Sequence, residues 1–427
     1  MRVMKWSMIA LAVAAAGSTQ MAAASSQSES KGFLEDSTFN VTTRILNFGR
    51  DFRNNPAGSQ SYNRETGLGF NALYESGYTQ GVVGFGVDAI GLLGVKLDSG
   101  KDRAGTGLFP TGSDGRSQDD YSEAGGAVKM RISDTVLKYG DQYTAMPVFA
   151  TDDSRLLPEV ATGTLLTFNE IKGLTVNAGR FTAMNAQDQT YHDSINGGSG
   201  LTSANVIGGT YAFTDAFSAT VYYSDVQDYW EKWYGNLNWS LPMGDKQGLV
   251  FDFNIYNTQS DGTTNYSAFD GDELDNNAYS FSGAYTYDAH TFTLAYQKVT
   301  GDGDYGYGVD GGGTIFLANS VARSDFNAEN EKSYQARYDL NMASYGVPGL
   351  SFMTRYVKGE DAHVESTRDG KEWERDIEAK YVFQEGAAKD LSLRVRQATY
   401  RSGDGVYYGS PSIDELRLIV QYPLNIL

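Results

Sequence analysis

The stretch GLVFDFNIYN, residues 248–257, decides the fold because its side chains alternate in character with a period of two. One parity carries the apolar side chains of Leu249, Phe251, Phe253 and Ile255. The opposite parity carries Asp252 and Asn254. Successive side chains of a β-strand point to opposite faces, so this pattern predicts a strand with one apolar and one polar face.

The same alternation recurs from Ser37 to Leu427. Further examples run over residues 39–45, 68–74, 83–89, 217–223, 279–285 and 416–424. Brief connections such as Thr214-Asp215 are interspersed with long polar ones such as Gly301 to Gly313. Short turns and long loops are typical of an outer-membrane barrel, and ~10 residues per strand predicts about sixteen to eighteen strands.

We therefore predict an all-β fold, a single transmembrane antiparallel β-barrel of about 18 strands with an aqueous channel. A soluble, exported all-β protein such as a sandwich is the alternative, because its strands also alternate in character.

The N-terminal segment has the features of a secretory signal peptide. Arg2 and Lys5 accompany an apolar run from Trp6 to Ala16, and small residues follow up to Ala24. The apolar run is too short to span a bilayer, so we predict cleavage after about Ala24. Residues 1–24 are interpreted as the signal peptide and residues 25–427 as one barrel domain.

Composition narrows the functional classes. The formal net charge of −19 disfavours nucleic acid as a partner. The chain has no cysteine, which excludes disulfides and thiolate enzymes. The only histidines are His192 and His363, which we expect in loops, and His290, which we expect at a turn, and none lies in a nucleophile motif. The acidic runs at 270–273 and 302–304 lack the spacing of a calcium loop. We predict no enzyme activity, no cofactor and no metal site.

One stretch interrupts the alternation: YTAMPVFATDDSRLLPEVATG, residues 143–163. Its two prolines and the run Thr151 to Ser154 cannot join a pairing ladder. A loop of this size between strands needs a function or a place to fold into. We predict that it folds inward and narrows the pore.

The predicted constriction has polar candidates in two loops. The inward stretch contributes Asp152, Asp153, Ser154 and Arg155. The long connection between Gly301 and Lys332 contributes Asn319, Ser320 and Asp325. An exposed polar loop is the alternative for both groups.

The polar parity carries many positive charges. If apolar side chains face lipid, parity places ten basic side chains toward the lumen: Arg44, Lys129, Arg131, Lys138, Arg337, Arg355, Lys380, Arg394, Arg396 and Arg417. The same face carries Asp88, Asp252, Asp288 and Glu378. Pairing of these charges for structure alone is therefore the alternative to a role in transport.

Six segments resemble the OprD family of substrate-specific outer-membrane channels. They are GAVKMRIS (126–133), SRLLPEVATG (154–163), AGRFTAMNA (178–186), YDLNMASYGVPGLSFMTRYVKG (338–359), LRVRQATYR (393–401) and LRLIVQYPLNIL (416–427). The similarity spans essentially the whole mature chain. It implies an eighteen-stranded barrel with an inward-folded third loop and a luminal row of basic residues, a basic ladder, along which a solute carboxylate slides.

Carried over residue by residue, the implied ladder contains Arg44, Arg394, Arg396 and Arg417, with Lys380 and Arg131 as further members. The implied function is passive, selective uptake of small carboxylate-containing solutes, aromatic ones among them. A channel of the same family for basic amino acids or peptides, and a non-selective general porin, are the alternatives. The expected location is the bacterial outer membrane. Expected partners are small anionic solutes, membrane lipid and lipopolysaccharide, for a monomer or a loose homotrimer.

Overall fold

A computed structural model describes residues 27–53, 55, 58–190, 200–261, 274–364, 367–403 and 412–427. The predicted signal peptide, His192 and the acidic run at 270–273 lie outside the described residues.

Most of the described chain is strand. In chain order the strands are β1 Thr38–Phe52, β2 Tyr62–Glu75, β3 Val83–Asp98, β4 Asp120–Ile132, β5 Thr135–Gln142, β6 Ala145–Met146, β7 Phe149–Ala150, β8 Val160–Ile171, β9 Leu174–Asn185, β10 Ala204–Thr214, β11 Phe217–Val226, β12 Trp230–Pro242, β13 Gln247–Ser260, β14 Asp275–Tyr287, β15 His290–Asp302, β16 Lys332–Asn341, β17 Leu350–Val364, β18 Thr367–Val382, β19 Ser392–Ser402 and β20 Ser412–Asn425. Short 3₁₀ helices span Gln27–Glu29 and Met342–Tyr345. Among the described residues, no helix is long and apolar enough to cross a membrane.

The long strands form one closed sheet of 18 strands. Each strand pairs antiparallel with the next, and β5 pairs with β8 across the short β6–β7 hairpin. The ring closes because β1 pairs with both β2 and β20, so that Arg44 lies opposite Gly69 on one side and Gln421 on the other. Closure leaves no sheet edge. A membrane-spanning sheet must have none, because unpaired backbone groups cannot be satisfied in lipid. The predicted all-β antiparallel barrel is confirmed.

Burial along the strands follows the predicted faces. The apolar parity points outward, and Ile45, Phe85, Phe281 and Leu418 are exposed there. The polar parity points inward, where the amide nitrogen of Asn238 donates a hydrogen bond to Asp252 at 3.0 Å. Asp288 was expected on this inner face, but it lies in the turn between β14 and β15 and pairs with Lys246 at 3.4 Å.

The loop at residues 143–159, called the constriction loop below, folds into the barrel as predicted from its prolines. It carries the β6–β7 hairpin, whereas residues 160–163 of the interrupted stretch already belong to β8. The loop reaches across the lumen. At one wall it binds Arg44 of β1, and at the far wall the hydroxyl of Tyr256 of β13 donates to the Pro147 carbonyl at 3.1 Å.

Two further connections turn inward, which the sequence did not indicate for residues 99–119. Leu108 and Phe109 from this loop are buried against Leu156 and Leu157 of the constriction loop. Loop 303–331 buries Leu317 in a second cluster with Val148 and Phe149. Three loops thus extend into the lumen and narrow it, and burial of their apolar side chains stabilises them there.

Glycines on β2 allow this close approach. A Cβ at Gly69 would lie 2.7 Å from the carbonyl oxygen of Leu156. A Cβ at Gly67 would lie 2.5 Å from a Leu156 methyl group. The constriction loop therefore packs on the barrel wall at a distance that only glycine permits.

Candidate functional site

A cavity of about 320 Å³ lies between the constriction loop and the inner wall. Six basic side chains line it: Arg44, Arg155, Lys380, Arg394, Arg396 and Arg417. The lining also includes the acids Asp153 and Asp390 and the apolar Leu46, Val382 and Ile419. The wall residues come together because β18, β19, β20 and β1 are consecutive in the closed ring.

Arg44 joins the wall to the tip of the constriction loop. Its Nη1 and Nη2 donate to Oδ1 and Oδ2 of Asp153 at 2.8 and 2.9 Å. Nη1 also donates to the Arg155 carbonyl oxygen at 2.5 Å, and Nη2 donates to Gln421 Oε1 at 3.3 Å. The guanidinium group is therefore held by the loop backbone and by β20, as well as by the carboxylate.

Glu378 lies beneath the pair of arginines on β19. The strand register places it opposite Arg396 and places Lys380 opposite Arg394. Its carboxylate accepts from Arg396 at 2.8 Å and lies 3.4 Å from Arg394 Nε. One carboxylate therefore lies among three cations, two of which form ion pairs with it, and the group keeps a net positive charge.

Arg417 belongs to a buried cluster behind the loop tip. Its Nε donates to Glu415 Oε1 at 2.7 Å, and Arg50 Nε donates to the other oxygen at 2.9 Å. Both guanidinium groups lie over the Phe48 ring, at 4.3 and 4.5 Å from its centre. Arg417 Nη2 also donates to the Ala322 carbonyl of loop 303–331 at 3.2 Å. Its Nη1 lies 3.5 Å from the Ser154 carbonyl of the constriction loop, so Arg417 contacts both loops from the wall.

Two cations of the cavity, Arg155 and Lys380, differ from the other four. Among the described residues, no carboxylate forms an ion pair with Arg155 or Lys380. Arg155 donates to the Ser154 hydroxyl at 2.8 Å and lies 5.3 Å from the Phe48 ring centre. Burial, followed by the charges of Arg417 and Arg50, lowers the pKa of Arg155 to about 10, so it remains charged at neutral pH. The charges of these two cations are therefore not neutralised by an ion pair within the described chain.

Glu159 ties the constriction loop to loop 303–331. Its Oε2 accepts from the backbone N–H of Asp152 at 2.8 Å and of Gly312 at 2.9 Å. The backbone N–H of Ala150 donates to the Asp310 carbonyl at 3.1 Å, which joins the same loops. Burial, and then the nearby Asp152 charge, raises the pKa of Glu159 to about 8.

Loop 303–331 is fixed to the wall by a fully buried ion pair. Lys232 Nζ on β12 contacts Asp310 Oδ2 at 2.6 Å, and both side chains are 0% exposed. Nζ also donates to the Gly306 carbonyl at 2.9 Å. A buried charge pair of this kind stabilises the loop only while both partners are present.

Some predicted site residues lie apart from the cavity. Arg131 is 4% exposed, donates from Nε to Gln27 at 2.9 Å, and stacks 4.1 Å from the Tyr78 ring centre. Its expected place in the row of cavity cations is therefore not found. The N-terminal segment covers it instead.

The candidates in loop 303–331 hold that loop together. Asn319, which was predicted at the constriction, is 0% exposed and donates to the Ser333 hydroxyl at 2.8 Å, so it binds the loop to the wall and does not line the cavity. Ser320 donates to Asp325 Oδ1 at 2.6 Å, and the Tyr307 hydroxyl donates to the other oxygen. Burial raises the pKa of Asp325. Asp152 likewise acts within its own loop, where it accepts from the Ser154 backbone N–H at 2.9 Å.

The remaining basic residues of the inner face have acidic partners. Lys129 and Lys138 share Asp88 at 2.6 and 2.5 Å. Arg337 pairs with Asp339 at 2.7 Å, and Arg355 pairs with Asp376 at 2.6 Å. These pairs agree with the alternative that inner-face charges pair with one another for structure alone. Arg155 and Lys380 form no such ion pair among the described residues.

The sequence reasoning missed several residues of the site. Arg50 shares the parity of Arg44 on β1, so the alternation could have identified it. Gln421, which orients Arg44, shares the parity of Arg417 on β20. Asp390 precedes β19 in a connection, where no periodicity applies, and no signal pointed to it.

The described histidines lie away from the cavity. His290 begins β15, next to the predicted turn, and its Nδ1 is 2.8 Å from the Tyr338 hydroxyl. His363 was expected in a loop but lies near the end of β17, where its Nδ1 is 2.8 Å from Glu329. Among the described residues, no group of three or more potential metal ligands is present.

Comparisons with known proteins agree with this geometry. A family described as "outer membrane porin, OprD family" matches residues 31–426. Porin D of Pseudomonas aeruginosa is 48% identical, with 100% of each chain covered. The crystal structure of Acinetobacter baumannii OccAB1 is 37% identical with a TM-score of 0.88, covering 94% of this chain and 100% of its own. The structure of Pseudomonas aeruginosa OpdK with vanillate is 32% identical with a TM-score of 0.82, covering 92% of this chain and 100% of its own.

Proposed function

The chain belongs to the OprD family of outer membrane porins, and from this premise we propose that it takes up small carboxylate-containing solutes passively and selectively. Proteins of this family are channels for small solutes in the bacterial outer membrane. The proposal includes aromatic carboxylates, because the OpdK structure contains vanillate. It involves transport without catalysis.

One observation carries the proposal: six basic side chains line a single cavity beside the constriction loop. Four carboxylates accompany them, namely Asp153 and Asp390 in the lining and Glu378 and Glu415 as ion-pair partners. The local balance is therefore positive although the whole chain carries −19. Local field rather than total charge governs which ions enter a narrow pore.

The arrangement suits a carboxylate that must lose water. A charge pair at about 4 Å contributes roughly 4 kcal/mol at an effective dielectric near 20. A single deep site would trap the solute, whereas several guanidinium groups on adjacent strands replace its hydration in small steps. We assign this ladder role to Arg44, Lys380, Arg394, Arg396 and Arg417, with Arg155 facing them from the loop.

A channel for basic amino acids or peptides is the second candidate. It is favoured by Asp153 and Asp390, two acids that line the same cavity and would interact with an ammonium group. Such a solute would use its carboxylate on the ladder and its ammonium group on these acids.

Planar-bilayer recordings with matched solutes test the proposal. Benzoate and benzamide have the same width and differ in charge, so a ladder should pass benzoate more readily. Reversal potentials under a salt gradient should show anion preference. Cation preference in sodium benzoate would refute the proposal, and faster uptake of arginine than of benzoate in liposomes would favour the second candidate.

A further inference from the structure

We propose that the Asp153 carboxylate is an internal substitute for the solute carboxylate. The Asp153 carboxylate binds Arg44 when the pore is empty, and the solute carboxylate replaces it on Arg44 during passage. The inference rests on the proposed function and identifies Asp153 as the residue that sets how tightly the pore holds its solute.

The contact between Arg44 and Asp153 has the geometry of a bound carboxylate. Two nearly equal hydrogen bonds of 2.8 and 2.9 Å join Nη1 and Nη2 to the two carboxylate oxygens. This bidentate fork is the arrangement that arginine prefers with any free carboxylate. The loop tip therefore places an acid where a passing solute would bind.

Asp153 is able to leave this position. Its side chain is 53% exposed, whereas that of Arg44 is 11% exposed. Arg44 would stay in place without it, because the Arg155 carbonyl and Gln421 Oε1 also accept from the guanidinium group. Asp152 differs, because its carboxylate is bound to both the backbone N–H and the hydroxyl of Ser154.

Exchange of one carboxylate for another keeps the free energy of the solute nearly constant as it passes Arg44. Arg44 is never left without an anion in a partly dry cavity, which would be costly. The displaced Asp153 remains in the cavity that Lys380 and Arg394 also line. The solute therefore gains little net attraction at Arg44, and it leaves as easily as it arrives.

The test compares two variants that remove one negative charge from the same cavity. Asp153→Asn frees Arg44 from competition, whereas Asp390→Asn leaves the Arg44–Asp153 pair intact. Asparagine tolerates the positive φ of 70° at residue 390. The readout is the half-saturating benzoate concentration of channel current, with benzamide flux as the neutral reference. We expect about a tenfold fall for Asp153→Asn, as for a gained hydrogen bond to a charged group, and a much smaller fall for Asp390→Asn.

The outcomes separate the inference from the proposed function. Equal effects of the two variants would mean that only net charge matters, and this would overturn the exchange. Increased benzamide flux through Asp153→Asn would make Asp153 a tether of the loop, which also overturns it. If Asp153→Asn does not assemble, Asp153→Ser is used in its place, because it removes the same carboxylate. Failure of the proposed function would appear separately, as cation preference of the parent channel.

Discussion

Replacing both Arg394 and Arg396 by glutamine should lower benzoate permeability steeply while changing benzamide permeability little. Glutamine keeps hydrogen-bonding capacity but removes two of the six positive charges that line the cavity. The four cations that remain are then matched by the four carboxylates Asp153, Asp390, Glu378 and Glu415. Glu378 also loses both of its ion-pair partners, so its charge becomes available to repel an anion.

The size of the effect follows from the charges. A solute carboxylate that passes ~8 Å from one charge gains about 2 kcal/mol at an effective dielectric near 20. Screening over a Debye length of about 8 Å leaves roughly a third of this. Two charges then contribute about 1.4 kcal/mol, which corresponds to about a tenfold change in permeability. The unmasked Glu378 acts in the same direction.

The assay is benzoate and benzamide flux through the purified channel in planar bilayers or liposomes. Arg337→Gln is the matched control, because Arg337 is an inner-face arginine paired with Asp339 and does not line the cavity. Adding Glu378→Gln to the double variant should restore part of the benzoate flux. If the double variant passes benzoate as fast as the parent, the two arginines serve only to pair with Glu378, and the pore is a size filter.

Three further predictions follow from the loops. Deleting Thr151–Arg155 removes the loop tip from the cavity, so potassium chloride conductance should rise and the preference for benzoate over benzamide should fall. The pKa of Glu159 is about 8 in the folded protein and 4.5 in the unfolded chain. The folded state thus binds more protons between these values, so heat resistance in detergent should fall as pH rises from about 4.5 to about 8, and Glu159→Gln should remove that component. Lys232→Met leaves the buried Asp310 unpaired and should lower the free energy of unfolding in urea by about 3–5 kcal/mol, whereas the double variant with Asp310→Asn should lose less.

The sequence by itself determined the barrel and the faces of its strands. Because side chains alternate strictly along a strand, the apolar parity of segments such as 416–424 placed Arg417 on the inner face before any pairing was known. The same rule brought Lys380, Arg394 and Arg396 to the lumen, and it would have found Arg50. The resemblance of short segments to a known family then gave these cations an expected role.

Only the tertiary structure decided which inner-face charges form one site. Arg44 and Asp153 are 109 residues apart in sequence, and no local pattern specifies their contact. The burial of two further residues likewise depends on partners elsewhere in the chain. Asn319 binds Ser333 on β16, and Arg131 binds the N-terminal Gln27. Strand periodicity follows from local backbone geometry, which the sequence displays directly. The fold of an inward loop follows instead from the packing of several loops against a closed wall, which exists only once the barrel has formed.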